Sequence, residues 1–212
     1  LSNTYNCNMI VGLTGGIGCG KSTVAKLFAQ YPMCITYDQD KIAHEGYYVP
    51  EIKNQLIGLL GEEAYSDDMT FNRKFVADKI FNDNALLWQV NNIFKPFVKW
   101  KLEQFIHSIP LPKIIIIETA LLFEHSMQDT VDRIITVDAP EALRISRILL
   151  RNPEMTIEQI KKRMEVQYAQ ELKIRNSHYI IHNHSQGSLN SQVMAIYQDL
   201  YDNYHTIKKI EY

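Results

Sequence analysis

From Gly12 to Phe28 the chain reads GLTGGIGCGKSTVAKLF, with five glycines in the nine residues Gly12 to Gly20. Gly15, four intervening residues, Gly20, Lys21 and Ser22 match G-x-x-x-x-G-K-[ST]. The flanks supply the context this spacing requires. Met9 to Leu13 is an apolar run that reads as a buried strand, and Val24, Leu27 and Phe28 recur at helical spacing until Pro32 ends the pattern. Glycines accept backbone angles and close approaches that a Cβ forbids, so successive N–H groups can turn toward anionic oxygens, and the following helix adds the positive end of its dipole. The expectation is a loop for a nucleoside triphosphate, built from Gly15, Gly16, Gly18, Cys19, Gly20, Lys21, Ser22 and Thr23. Lys21 would reach the β- and γ-phosphates, and the Ser22 hydroxyl suits a Mg²⁺ held between them.

At 212 residues the chain suits one compact domain with small insertions, and its net charge of −2 gives no global signature of a nucleic-acid binder. Charge is uneven, however. From Arg144 to Arg175 eight Lys or Arg face four Glu, so this segment carries +4 and the remainder −6. Cys7, Cys19 and Cys34 form no C-x-x-C pair, which argues against a disulfide framework or a zinc site. The longest aliphatic run, Ile114 to Ile117, is far too short for a membrane span, and the start LSNTYNCN has no signal-peptide core. A reducing, cytoplasmic setting is expected, with Met9 as the natural start and the first eight residues outside the fold.

Strand-like and helix-like segments alternate, the signature of a parallel sheet flanked by helices. Strands are predicted at Met9–Thr14, Cys34–Tyr37, Ile114–Glu118, Ile134–Asp138 and Tyr179–His182. A long non-strand insertion separates the second from the third. In it Pro50 opens a helix carrying Ile52, Leu56, Ile57 and Leu60, which Gly61 stops. Further helices are predicted at Asn72–Phe81 and Asn84–Phe94, with Pro96 opening another toward Ser108. After the fourth strand a basic helix begins at Pro140 and carries Leu143 and Ile148 as far as Asn152-Pro153. Thr156 and Gln159 then make a capping box for a helix from Ile157 to about Ile174. Two charged helices joined by a proline-containing turn read as a lid. A last helix from about Ser188 places Leu189, Val193, Tyr197, Leu200 and Tyr204 on one stripe, read as core packing.

A phosphate loop alone fits a GTPase, a motor or a small-molecule kinase. The chain has no Asn-Lys-x-Asp segment to read guanine, and IIIIETALLFE ends its strand in Glu118-Thr119 rather than the Asp-Glu of a motor. A kinase needs an acceptor site and a means of excluding water, which the insertion and the basic lid supply. The second strand runs into TYDQDKIAHE, and ligands of parallel α/β sheets sit beyond the carboxyl ends of the strands. Asp38 and Asp40 are therefore candidates to accept the proton of an attacking hydroxyl; as the alternative, either caps the helix that begins near Lys41.

The segments GLTGGIGCGKST, DQDKIA, TALLFE, RILLRN and YIIHN, in that order, resemble the dephospho-coenzyme A kinases, and the resemblance spans the chain from Met9 onward. It implies a P-loop α/β core with a five-stranded parallel sheet (9–42, 113–143 and 176–212), a helical acceptor-binding insertion (43–112) and a helical lid (144–175). It also implies transfer of the γ-phosphate of ATP, with Mg²⁺, to the ribose 3′-hydroxyl of dephospho-coenzyme A. On the family pattern Asp40 is the general base, Lys21 and Arg147 act on the transferring phosphoryl group, and Asn183 begins the adenine-contacting loop. Arg144 and Arg151 compete with Arg147. Asp38, Arg73, Lys95 and Leu121 are the further candidates for the acceptor site. A small-molecule acceptor, no nucleic acid, no membrane, and a monomer or weak homo-oligomer complete the expectation.

Three departures stand out. Lys95-Pro96 replaces the family's usual His-Pro, losing a hydrogen-bond acceptor; Ala120-Leu121-Leu122 replaces Pro-Leu-Leu; and Glu118 stands where Asp is common. His178, His182 and His184 show the spacing H-x-x-x-H-x-H, but a central parallel strand would bury their shared face and no carboxylate is near in sequence, so no metal is expected there. The competing readings are a kinase for a nucleoside monophosphate or polyol, and a non-catalytic nucleotide-sensing module in which Asp40 is expendable.

Overall fold

The computed structural model describes residues 8–80, 83–110, 113–184 and 189–210, with no account of the side chains of residue 84 and residues 205–210. Cys7, Phe81, Ser188 and residue 112, the end of the expected insertion, lie outside the described residues, as does the proposed leading segment apart from Asn8.

The chain divides into two compact units, one formed by residues up to Asp38 and from Pro110 onward, the other by Gln39–Ile109. In the first, β1 (Met9–Thr14), β2 (Cys34–Asp38), β3 (Ile114–Glu118), β4 (Arg133–Asp138) and β5 (Tyr179–His182) form one sheet in the order β2-β3-β1-β4-β5. Every pairing is parallel. Four consecutive isoleucines suit β3, which is buried along its whole length: their branched side chains favour a pleated backbone, and a strand covered on both faces needs no polar alternation. On one side α1 (Lys21–Phe28) contributes Val24, Ala25 and Phe28 to the core, and α9 (Leu189–Ile210) contributes Val193, Ile196, Leu200 and Tyr204. The stripe on α9 is thus core packing.

The segment expected to form a lid, 144–175, belongs to this unit, which here holds α6 (Glu141–Arg151), α7 (Ile157–Glu165) and α8 (Gln170–Arg175). The capping box of Thr156 and Gln159 is formed in both directions. The single helix expected from Ile157 to Ile174 is instead two: α7 ends at Glu165, residues 166–169 are not helical, and Ala169 (φ −52°, ψ 139°) caps the restart at α8.

The second unit holds α2 (Gln39–Glu45), α3 (Pro50–Leu60), α4 (Arg73–Ile80) and α5 (Asn84–Ser108) around a core of Ile52, Leu56, Leu60, Phe71, Val90 and Phe94. Pro96 was expected to open a helix, yet α5 runs through it. A proline inside a helix forfeits one backbone hydrogen bond, and here the apolar face of Val90, Phe94, Phe97 and Val98 continues across it and offsets that loss.

The parallel register brings the strand ends to one edge. Glu118 pairs with both Leu13 and Asp38, and Asp138 pairs with His182. The loop after β1 leaves the middle of that edge, with the Asp38 and Glu118 carboxylates on one side and Asp138 with His182 on the other.

Candidate functional site

Two glycines explain the path of the loop. Gly15 has φ 141°, and a Cβ there would run into the carbonyl oxygen of Val137. Gly20 caps α1 in the left-handed region at φ 95°, where a side chain would strike Asn183. Lys21 turns back over this loop and donates from Nζ to the Gly15 carbonyl at 3.2 Å. Ser22, on the first turn of α1, donates from its hydroxyl to Oε1 of the buried Glu118 at 2.6 Å. Two hard oxygen donors side by side at the strand edge are the chemistry Mg²⁺ selects, so Ser22, with Glu118 behind it, fits the expected ion. The loop runs directly into the N-terminus of α1, whose positive dipole end fits a polyphosphate.

The segment from α6 to α8 packs on the loop through side chains. Arg144 is buried and donates from Nε to the Ile17 carbonyl at 2.9 Å. Arg147 is half-buried: Nη1 donates to the Cys19 carbonyl at 3.3 Å, and Nη2 donates to the Asn183 carbonyl at 3.2 Å and to its side-chain oxygen at 3.1 Å. Asn183 closes the circuit, donating from Nδ2 to the same Cys19 carbonyl at 2.8 Å. Two of the three candidate lid arginines therefore sit on the loop, while Arg151 is exposed at the end of α6.

Several partners of the loop carry no motif signal. The Gly16 N–H donates to Oε1 of Gln170 at 3.1 Å, and the Ile17 N–H donates to Oε1 of Gln167 at 2.9 Å. Gln167 and Gln170 thus hold backbone donors that such a loop offers to anions. Gln170 also donates from Nε2 to the Val137 carbonyl at 3.0 Å and to Oδ1 of Asp138 at 3.2 Å. Three residues further on, Lys173 is wholly buried, pairs with Glu124 at 2.9 Å and donates to the Ala120 carbonyl at 2.7 Å. Burial pushes its ammonium below the ordinary lysine range, while Glu124 pulls the other way. The one trace in the sequence is the spacing of three that links Gln167, Gln170 and Lys173.

The remaining candidates are placed as follows. Asp38 ends β2 and is exposed; Leu121, half-buried, follows β3, its N–H donating to the Thr119 hydroxyl at 3.2 Å. In the helical unit, Asp40 is exposed on the first turn of α2, and Lys95 is exposed on α5 beside Pro96. Arg73 opens α4 with its guanidinium against the His44 ring. Burial and that guanidinium both hold the His44 imidazole below its ordinary value.

The histidine trio is divided. His178 precedes β5, and its Nδ1 accepts the Ile134 N–H at 3.0 Å. β5 is an edge strand rather than a central one, so His182 and His184 are exposed, and Asp138 of the neighbouring strand supplies the carboxylate that the local sequence lacks. Both grounds for dismissing a metal there fail.

The family model described as dephospho-CoA kinase matches residues 9–188. The chain belongs to that family. It is 34% identical over 203 residues to a dephospho-CoA kinase of Chlorobaculum tepidum, covering 91% of this chain and 95% of that one. A dephospho-CoA kinase of Bacteroides fragilis is 33% identical over 199 residues, covering 92% and 94%. The Thermus thermophilus protein TT1252 shares the fold, with a TM-score of 0.79 at 24% identity over 92% of this chain and 99% of that one. Membership makes the chain an ATP-using transferase that phosphorylates an alcohol group. Among the described residues, no helix is long and apolar enough to cross a membrane.

Proposed function

We propose that this chain transfers the γ-phosphate of ATP to the ribose 3′-hydroxyl of dephospho-coenzyme A, giving coenzyme A and ADP, the last step of coenzyme A biosynthesis. The observation that carries this reading is the family match across residues 9–188. The phosphate loop, with Lys21, Ser22 and Arg147 disposed on it, supports the chemistry.

In this mechanism the phosphate oxygens take over the Gly16 and Ile17 N–H groups from Gln170 and Gln167. Lys21 exchanges the Gly15 carbonyl for the β- and γ-phosphates, and Arg147 offers its planar fork to the transferring group. Asn183 fixes the loop beneath the adenine end. Ser22, with Glu118 behind it, would hold Mg²⁺, which would supply neutralisation of charge on the phosphate oxygens. Asp40 orients the acceptor hydroxyl and takes its proton as the new O–P bond forms and the bridging oxygen departs with ADP. Arg73 and Lys95 place positive charge for the acceptor's own phosphates, with Asp38 and Leu121 as further contacts. Cys19 and Cys34 are buried and not disulfide-bonded, in keeping with a reducing cytoplasm as the setting.

The test is ADP release from MgATP with dephospho-coenzyme A, adenosine monophosphate, shikimate or no acceptor, for the native chain and Asp40→Asn. Turnover that depends on dephospho-coenzyme A and collapses in the variant supports both substrate and base. Turnover without acceptor, or with one of the other two, removes the substrate assignment.

A further inference from the structure

His182 ends β5 directly opposite Asp138 in the parallel register, and His184 follows two residues later. Nδ1 of His182 lies 3.5 Å from Oδ2 of Asp138, and Nε2 of His184 lies 3.6 Å from the same oxygen. One ligand atom from each of the three residues falls within 4.8 Å of the other two. The two separations from Asp138 are long for direct hydrogen bonds. They match ligands around a shared ion: donors ~2.1 Å from a tetrahedral metal stand about 3.4 Å apart.

The surroundings hold this set in place. The Asn183 N–H donates to the Asp138 carbonyl at 2.7 Å, tying the two strand ends together. Gln192 brackets His182 from both sides, accepting its N–H at 2.8 Å and donating to its carbonyl at 3.0 Å. Gln170 occupies Oδ1 of Asp138 at 3.2 Å, which leaves Oδ2 directed at the two rings. Such outer contacts are what orient ligands before an ion arrives.

We propose that Asp138, His182 and His184 form a binding site for a divalent transition cation of the zinc, cobalt or nickel class. Two imidazoles and one carboxylate select those ions over Mg²⁺, which prefers an all-oxygen shell. The two histidine side chains are 58% and 49% exposed, so the ion exchanges with solvent and keeps open coordination positions, unlike the closed four-ligand shell of a structural site. The site stands apart from Ser22 and Glu118. Two residues link it to the phosphate loop: Gln170, through Asp138 on one end and the Gly16 N–H on the other, and Asn183, through the Asp138 carbonyl and the Cys19 carbonyl.

The experiment is a calorimetric titration of the nucleotide-free chain with Zn²⁺ at about pH 7.5, since ion binding competes with protons at acid pH. The native protein, His182→Ala/His184→Ala and Ser22→Ala are compared. Both histidines are exposed, and a thermal melt of the double variant checks that it stays folded. The expected result is one equivalent bound by the native chain and by Ser22→Ala, weakened at least about tenfold in the double variant. Substoichiometric Co²⁺ should also broaden the NMR signals of the His182 and His184 rings before those of His44 or His107. Equal isotherms for native and double variant, or broadening centred on another histidine, overturn the proposal.

Discussion

In the sheet unit, Arg147, Asn183 and Gln170 each bond two or more residues at once, tying the loop to the strand ends. In the helical unit, Asp40, Arg73 and Lys95 project from helix surfaces above a core made by other residues, among them Leu56, Phe71 and Phe94. The first arrangement makes the functional side chains part of the architecture. The second separates them from it. Substitutions should therefore cost the sheet unit stability and chemistry together, and should cost the helical unit chemistry alone.

The largest effect is expected at the proposed base. Asp40→Asn should lower kcat by about 10²- to 10⁴-fold, the usual worth of a positioned base. Its unfolding free energy should stay within about 0.5 kcal/mol of native, as for an exposed isosteric change. Single-turnover kinetics and urea denaturation measure the two quantities. A large loss of stability would place Asp40 in the architecture and break the contrast.

The sheet unit supplies the opposite case in Lys173. Lys173→Ala strips Glu124 of its buried partner and leaves the Ala120 carbonyl without that donor, so it should cost about 3–5 kcal/mol in unfolding free energy. Replacing the pair together, Lys173→Met with Glu124→Gln, should recover most of that loss, because the cost lies in the stranded charge. A double variant no more stable than the single one would mean the ion pair itself holds the turn after β3.

The same contrast explains what the sequence displays. The phosphate loop, the five strands, the helix stopped by Gly61 and the capping box at Thr156 are local: each is fixed by residues a few positions apart. The partners that complete the site are not. Gln167 and Gln170 meet loop donors some 150 positions earlier in the chain, and Glu118 meets Ser22 across 96. His182 acquires its carboxylate from β4 because the strands pair in register, which spacing along one strand never shows. Pro96 misleads for a related reason: local rules break a helix there, and tertiary packing of Phe94 and Phe97 carries it on.

Alkaline pH gives a smaller but separable readout of the two cores. Burial raises the Cys34 thiol from 9.0 to about 12, and burial beside Tyr47 and Tyr48 raises the Tyr65 hydroxyl from 10.0 to about 12. Each group keeps its proton in the folded chain after the unfolded chain has lost it, so the unfolded state binds fewer protons in that window. The stabilisation is complete below the unfolded value and declines as pH rises through it toward 12. For Cys34 in the sheet unit the decline begins near pH 9, and for Tyr65 in the helical unit near pH 10. Denaturation series from pH 8 to 11 on native, Cys34→Ala and Tyr65→Phe should show the slope between about 9 and 10 vanish in the first variant and persist in the second.

The finest test concerns whether a lid side chain supports the loop or stands in a ligand's place. Gln167 accepts the Ile17 N–H at 2.9 Å, the donor that the proposed mechanism gives to a phosphate oxygen. ATP must then displace that bond, whose net worth is about 1 kcal/mol. Gln167→Ala removes the competitor and should tighten ATP binding about fivefold, read as the dissociation constant by calorimetry. Arg73→Ala in the helical unit should leave that constant unchanged and raise KM for dephospho-coenzyme A instead. If Gln167→Ala weakens ATP, the glutamine preorganises the loop in the same sense as Arg147 and Asn183. The sheet unit would then hold its site by support alone, with no side chain that ATP must move aside.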